Sequence, residues 1–308
     1  MSLRPWQLLR RFSSNFQSQK LLSEFCFSTS DFSRVVRVNQ QAFKSSIATT
    51  KPLPGMNDRE KAPYHPQDPK EVSAMLDVMH KHNTSGHKKG PGGFSCRKKT
   101  FNISDGSGRT VDSWQSQDWD YKKDNLPTYA RGLFTRNDHG TSEIVVRGYD
   151  KFFNVGEVRK TEWRNVETNT RGPYELSVKE NGCIIFIAGF DDETLLVTSK
   201  HSTGERGDAS ANHALNGEKW IDRQLKNVGK TRADLAKQLR SMNATAVAEL
   251  CDDSFEEHVL PYGPDVAGLY LHGINLNLPE FATYPGNQVH KFADEWGFRR
   301  VMLSLIHI

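Results

Sequence analysis

Lys179, Glu180, Asn181 and Gly182 lie between two strand-like apolar runs, and this K-x-x-G segment is where chemistry is to be sought. A lysine at a strand end, followed by a tight glycine turn, can be held rigidly beside a bound nucleotide. Asn181 and Gly182 let the backbone approach closely. To attack a phosphorus atom the amine must be neutral, which needs a pKa well below the free value of about 10.4. Burial and neighbouring cations produce such a shift. The four-residue pattern is weak by itself, since one match arises by chance in about 300 residues. Taken alone, it reads more readily as a surface lysine on a hairpin turn.

Other reactive side chains are less telling. Cys26, Cys96, Cys183 and Cys251 are scattered, with no C-x-x-C pair and no histidine at zinc spacing, so they read as reduced thiols. His65, His80, His82 and Cys251-Asp252-Asp253 could be drawn as metal ligands, but no motif groups them, and no metal ligand is assigned. Lys88, Lys89, Arg97, Lys98 and Lys99 form a basic run in a Gly-rich stretch: candidate RNA contacts, or simply a solvated loop. Glu249 is flanked by Val247 and Leu250, an unusual place for a carboxylate unless it is bound to something. Tyr270 and His272 share a strand face by the period of two.

The elements that would position these residues follow from periodicity. Asp68-Pro69 caps a helix carrying Val72, Met75, Leu76 and Met79 and ending near Asn83. Residues 83–99 read as a loop, and short strands follow to about Val158. Strand-like runs cover Glu143–Arg147, Tyr174–Val178, Cys183–Phe190 and Leu195–Thr198, with ENG and FDDE as hairpin turns between them. Helices are expected over 208–228 and 232–242, the second opened by a Thr231/Asp234 capping box. Strands Ala244–Leu250 and Gly268–Ile274 precede an amphipathic segment over Val289–Trp296. Hairpins with segregated helices make an α+β fold of mainly antiparallel sheets with flanking helices.

The chain has 308 residues, 36% of them apolar and 25% charged, with a net charge of +4 and a pI near 8.8. This is mildly basic, which is compatible with a polyanionic partner without establishing one. No apolar run approaches the roughly 20 residues of a membrane span, and a soluble, cytoplasmic or nuclear protein without membrane association is expected. Residues 1–55 hold eight Arg and Lys against Glu24 and Asp31, are rich in Ser, and open on SLRPWQLLRRF. They read as a mitochondrial presequence, as a translated leader before a start at Met56, or as an unfolded tail. The closing LSLIHI reads as translated sequencing adapter, making 303–308 an artefact and 56–302 the folded domain.

Several blocks together carry a resemblance. ELSVKENG resembles the nucleotidyltransferase lysine motif of RNA ligases. ARGLFT (130–135) and RGYDKFFNVGE (147–157) resemble the segment preceding that lysine. TSKHS (198–202), AVAEL (246–250) and GLYLHGIN (268–275) follow in the family's order. TVDSW and DWDYKKDNLPTYARGLF (within 110–134) narrow the likeness to the ligase domain of fungal tRNA ligase, over about 58–300. The resemblance implies a DNA/RNA ligase-like nucleotidyltransferase fold and an ATP- and Mg²⁺-dependent enzyme, expected as a monomer. Its RNA partners would be tRNA exon halves and the messenger of the unfolded-protein response.

The resemblance also implies roles. Lys179 would form lysyl-AMP, with Gly182 closing its turn. Arg131 and Lys151 would hold the β- and γ-phosphates of ATP, Phe153 would pack beside the nucleotide, and Lys200 would sit near the α-phosphate. Glu249 would accept the ribose hydroxyls, and Tyr270 or His272 would stack on adenine or simply pack. Two later family motifs are absent: an acidic-Gly strand and a Lys-x-Lys pair gripping the α-phosphate. The C-terminal ligase subdomain and the kinase and phosphodiesterase domains are also absent. The chain is therefore expected to be inactive or nearly so. The rival reading is a non-catalytic RNA- or nucleotide-binding fragment. A capping guanylyltransferase or DNA ligase would share the lysine chemistry but leaves ARGLFT and RGYDKFFN unexplained.

Overall fold

The computed structural model describes residues 65–83, 93–170, 176–204, 212–256 and 258–304. Helix α1 (Pro69–Lys81) starts where Asp68 accepts the Lys70 N–H at 2.8 Å, and it buries Val72, Met75, Leu76 and Met79. Four antiparallel strands follow in simple order, β1 (Cys96–Asn102), β2 (Thr110–Ser116), β3 (Leu133–Asp138) and β4 (Thr141–Arg147). Alternation gives this sheet two buried faces. Trp114, Leu133 and Ile144 pack against α1, while Val111, Phe134, Val145 and Val146 face the other way.

Short helix α2 (Trp163–Asn169) leads to β5 (Leu176–Ser177), then β6 (Cys183–Gly189) and β7 (Leu195–Ser199). Helices α3 (His213–Asn227) and α4 (Arg232–Ser241) are followed by β8 (Ala244–Cys251) and β9 (Gly268–Leu276). Helix α5 (Gly286–Glu295) and strands β10 (Arg299–Arg300) and β11 (Leu303–Ser304) complete the order. The second sheet runs β10-β9-β8-β6-β7, antiparallel except for β10 against β9. Helices α3, α4 and α5 cover one of its faces through Ile221, Leu225, Leu235, Leu239, Val289 and Phe292. The opposite face presents Phe186, Ala188 and Val247 to the first sheet. The architecture is α+β: two mainly antiparallel sheets packed face to face, with helices outside. Among the described residues no helix is long and apolar enough to cross a membrane.

The sheets approach closely because glycines face Phe186. A Cβ on Gly132 would lie 2.1 Å from the Phe186 ring, and one on Gly148 would lie 2.7 Å from it and 2.0 Å from the Arg131 carbonyl. Beside this contact Arg147 is fully buried. Its Nη2 donates to Asp150 Oδ1 at 2.6 Å, its Nε to the Leu278 carbonyl at 3.2 Å, and its Nη1 to the Gly148 carbonyl at 2.8 Å. Thr245 donates to Asn277 at 2.6 Å, and Asn277 to the Val145 carbonyl at 3.0 Å. The charge is thus paired and bonded on every side, the condition under which a buried ion is tolerated.

Three expectations change. The loop expected over 83–99 gives way to strand at Cys96, and Arg97, Lys98 and Lys99 lie on β1, the sheet edge. Lys98 pairs with Asp112 at 3.1 Å, and lysines on an edge strand discourage further pairing. Lys88 and Lys89 lie outside the described residues, as does Tyr174. The runs on either side of Glu180-Asn181-Gly182 do not form a hairpin. β5 pairs with β11, whereas β6 pairs with β7 and β8, so the turn passes from one sheet to another. The hairpin over 189–195 is present, with Phe190 N–H donating to the Thr194 carbonyl at 2.8 Å. Helix α2 had no counterpart in the apolar pattern, having Val166 as its buried side chain.

The turn after β7 is tied to the first sheet. Ser113 donates to the His201 carbonyl at 3.1 Å, and Thr203 to the Asn102 carbonyl at 2.8 Å. Burial, then Lys200 and Arg131, push the His201 imidazole down to about 4, and its Nδ1 is buried with no hydrogen-bond partner among the described residues. The unfolded chain takes up this proton near pH 6.5, whereas the folded chain refuses it until about pH 4. Stability should therefore fall as pH drops through that window, by on the order of 2 kcal/mol once partial contact with water is allowed for. Urea midpoints measured at pH 7 and pH 5 should converge more for His201→Gln than for the parent; equal pH dependence of the two would contradict this.

Candidate active site

Lys179 stands in the irregular segment between β5 and β6, exposed, with its Nζ donating to the Glu180 carbonyl at 3.2 Å. The turn after it is held by three contacts from distant residues. Asn181 N–H donates to the Tyr262 hydroxyl at 2.8 Å, and that hydroxyl donates to Glu180 Oε2 at 2.8 Å. Val259 N–H donates to Asn181 Oδ1 at 2.9 Å. Gly182 N–H donates to Glu249 Oε1 at 3.2 Å, and a Cβ at Gly182 would fall 2.1 Å from the Leu250 carbonyl. Only glycine lets the chain lie against β8 here. The lysine is thus placed by backbone contact rather than by a local hairpin.

Glu249 is on the face of the second sheet that looks toward the first. Besides Gly182 it meets His272, whose Nε2 is 3.7 Å from Glu249 Oε2. The Tyr149 hydroxyl lies 3.0 Å from His272 Nδ1 and 3.0 Å from the His272 carbonyl, with the two rings stacked at 5.5 Å. Burial pushes the Tyr149 phenol up, and the Glu249 charge adds to this. It therefore stays protonated and able to donate. An irregularity in the β8–β9 register near Val247 and Ala248 brings Gly273 opposite Val247 and Leu271 opposite Ala248, leaving His272 as the extra residue. His272 thereby reaches Tyr149 beside Glu249.

A separate set of cations gathers around Lys200. Lys200, half-buried after β7, has its ammonium pushed down first by burial and then by Arg131; Asp118 opposes this, and Lys151 adds to the lowering. Arg131 precedes β3 and pairs with Asp118 at 3.1 Å. Lys151 donates to the Phe152 carbonyl at 2.6 Å and lies 3.9 Å from Glu157. Cations clustered in this way are poised for a polyanion.

The aromatic candidates separate. Phe153 packs against the core beneath α1, with the Lys151 ammonium 4.7 Å from its ring centre. Phe152 is exposed and lies 4.8 Å from the Tyr149 ring, on the Glu249–His272 side. Tyr270 donates to the Val266 carbonyl at 2.5 Å and sits edge-on to Tyr262 at 6.1 Å. Glu249, His272 and Gly182 are thus joined directly, and Arg131, Lys151 and Lys200 act on one another electrostatically. Phe153 and Tyr270 sit at the margins. Tyr149, Phe152 and Tyr262 were not singled out in the sequence. The first two lie within RGYDKFFNVGE and could have been; Tyr262 lies in an irregular segment without a period.

The histidines and acids set aside as metal ligands have other partners. His80 packs edge-on to Trp114, and His82 stacks on Phe94. Asp252 accepts from Trp220 Nε1 at 2.7 Å and from Ser254 at 2.6 Å.

Comparison with known proteins gives this groove a context. Residues 129–307 match the family model described as RNA ligase. The chain is 53% identical over 178 residues to tRNA ligase 1 of Schizosaccharomyces pombe, covering 57% of this chain and 23% of that protein. It is 48% identical over 209 residues to the tRNA ligase of Candida albicans, covering 62% of this chain and 25% of that one. It therefore spans about a quarter of the length of these relatives. Two solved structures of an archaeal ATP-dependent RNA ligase, forms 1 and 2, align with TM-scores of 0.44 and 0.40 at 13% identity. They cover 75% and 66% of this chain and 49% and 46% of those chains. The family match takes in more than half of the chain, from the approach to β3 through β11, and with it Arg131, Lys151, Lys179, Lys200 and Glu249: the chain belongs to the RNA ligase family.

Proposed function

We propose that this chain carries the adenylyltransferase part of an ATP-dependent RNA ligase of tRNA splicing, with Lys179 as nucleophile. The observation that carries this reading is the turn itself. One glycine N–H ties the lysine segment to Glu249, while Arg131, Lys151 and Lys200 gather positive charge at the mouth of the same groove. ATP would place its ribose hydroxyls at Glu249, whose oxygens accept from donors, and its phosphates among the cations.

In the first step the neutral Lys179 Nζ attacks the α-phosphorus. An N–P bond forms, the bond from that phosphorus to the β-bridging oxygen breaks, pyrophosphate departs, and Nζ loses its proton to solvent. Arg131 and Lys151 would stabilise the charge growing on the leaving pyrophosphate, and Lys200 that on the α-phosphate. AMP then passes to the 5′-phosphate of one RNA end, and the 3′-hydroxyl of the other end displaces it. The carboxylates at the groove are each engaged, Asp118 with Arg131, Glu180 with Tyr262, and Glu249 with Gly182 and His272. Mg²⁺ therefore fits as an ion carried in on the phosphates, where it would neutralise charge, and not as one held in a protein cage. The substrates we propose are tRNA exon halves and the messenger of the unfolded-protein response. We place the protein in the cytoplasm or nucleus as a monomer, with a mitochondrial form if residues 1–55 serve as a presequence.

The chain extended with downstream sequence that supplies the Lys-x-Lys pair, incubated with α-labelled ATP and Mg²⁺, should acquire covalent label that Lys179→Ala abolishes and that excess GTP does not compete away, and the chain as it stands should label weakly. GTP labelling would instead favour a capping-type enzyme. A folded chain that stays unlabelled, both as it stands and extended with downstream sequence, would refute the ligase reading and leave nucleotide or RNA binding.

Tyr262 positions the turn without touching the reacting atoms. Burial and the bond to Glu180 push its phenol up, so it remains a donor at neutral pH. Tyr262→Phe should slow labelling by about tenfold, the effect of roughly 1.4 kcal/mol, through loss of two hydrogen bonds. The apparent KM for ATP should change little, and melting should stay cooperative. A large KM change with an unaltered maximal rate would place Tyr262 in nucleotide binding instead.

A further inference from the structure

The reverse of the second sheet, the face packed by α3, holds a group of side chains that the adenylylation chemistry does not use. Cys183 opens β6 one residue after Gly182 and is partly buried against the helix-side core. His213 is the first residue of α3, and Glu256 lies just beyond β8. The Cys183 Sγ and one ligand atom each from His213 and Glu256 all lie within 4.8 Å of one another, and His213 Nε2 is 2.9 Å from Glu256 Oε2. A tetrahedral zinc centre with bonds of about 2.0–2.3 Å sets its ligand atoms roughly 3.3–3.8 Å apart. The three ligand atoms, all within 4.8 Å of one another, approach that spacing.

We propose that Cys183, His213 and Glu256 form a binding site for zinc or a like transition-metal dication, with a fourth position open to water. The donor set is a thiolate, an imidazole and a carboxylate, which selects such ions over Mg²⁺ or Ca²⁺. Burial first, then Glu256 and Glu249, push the Cys183 thiol up, so a metal has to displace its proton, while the same two carboxylates attract a dication. On binding, the S–H bond breaks, the metal–sulfur bond forms and the proton goes to solvent. The backbone around the donors is already fixed. Asn212 caps α3 by accepting from Leu215 N–H at 3.0 Å, Phe255 meets the His213 ring edge-on at 5.4 Å, and Glu256 N–H donates to the Asp252 carbonyl at 3.2 Å.

The site differs in position and in chemistry from the Mg²⁺ carried by ATP. Glu249 faces the nucleotide groove, whereas Cys183, paired with Leu250 in the β6–β8 register, joins the helix-side core. Its consequence is mechanical. The segment that begins at Asp252 also supplies Val259 and Tyr262, which hold Asn181 and Glu180. A metal joining Glu256 to Cys183 and His213 would fasten that segment from behind and fix the lysine turn between two anchors.

The full 308-residue chain, stripped with chelator and titrated with Co²⁺, tests this without any measurement of ligation. One equivalent should produce a thiolate-to-cobalt charge-transfer band, which Zn²⁺ abolishes by displacement, and Zn²⁺ should raise the melting temperature. C183S should lose the band, and H213Q and E256Q should each weaken Co²⁺ binding on the order of 100-fold. E256Q alters a side chain that is half exposed, so it reports even if C183S fails to fold. Absence of the band in the parent, its persistence in folded C183S, or unchanged affinity in both H213Q and E256Q would overturn the proposal.

Discussion

Phe186 between Gly132 and Gly148 sets the distance between the two sheets, and the groove exists because that distance is short. Each glycine adjoins a residue of the groove. Arg131 precedes the first and Tyr149 follows the second, so the contact that brings the sheets together also sets Tyr149 against His272 beside Glu249 and Arg131 against Asp118. A methyl group at either glycine would meet the ring well inside contact distance, and a packed core cannot absorb that without moving β3 or β4. Arg147 stiffens the same junction from within, since its bonds run to Gly148, Asp150 and Leu278 and so join both halves of the molecule.

Given that spacing, charge sorts itself along the groove. Glu249 lies with a backbone N–H and His272 beside it and the Tyr149 hydroxyl behind. Arg131, Lys151 and Lys200 form a separate positive set, where burial first and then Arg131 push the Lys200 ammonium down. An acid that accepts hydroxyl donors beside cations that attract phosphate is the polarity of a nucleotide, sugar at one end and polyphosphate at the other. The amine at Lys179 sits on the turn that belongs to the acid's end, tied to it through Gly182.

Much of this was legible in the sequence, and the part that was not has a common cause. Helix α1, the 189–195 hairpin and the Thr231/Asp234 box form from residues within a few positions of one another, so local spacing announces them. Glu249 was legible because a carboxylate interrupts an apolar strand, and the Lys179 segment because it is short and bounded by strands. The pairing of β5 with β11 spans more than a hundred residues and involves two residues from each strand, which leaves no periodic trace. Edge strand β1 hid its start behind lysines that an edge tolerates. Tyr262 was invisible for the same reason as the β5 pairing. Its partners are about eighty residues away, and the segment holding it has no alternation to interpret.

That segment shows how a catalytic turn can be rigid without being regular. A hairpin would have fixed Lys179 by its own ladder, but β5 and β6 do not pair, so the rigidity has to be supplied from elsewhere. It comes from one side through Gly182 against β8, and from the other through Asn181 and Glu180 against Val259 and Tyr262. Tyr262 is in turn held by Asp253, which accepts its N–H at 2.6 Å, and the preceding Asp252 is held by Trp220 of α3. The chain of contacts therefore runs from a helix on the outer face, through an irregular segment, to the lysine on the inner face. Cooperative local opening of the 252–262 segment would release the turn while leaving both sheets intact. The support of the Lys179 turn is thus separate from the contacts that hold Arg131 and Lys151, which run to Asp118, Phe152 and Glu157.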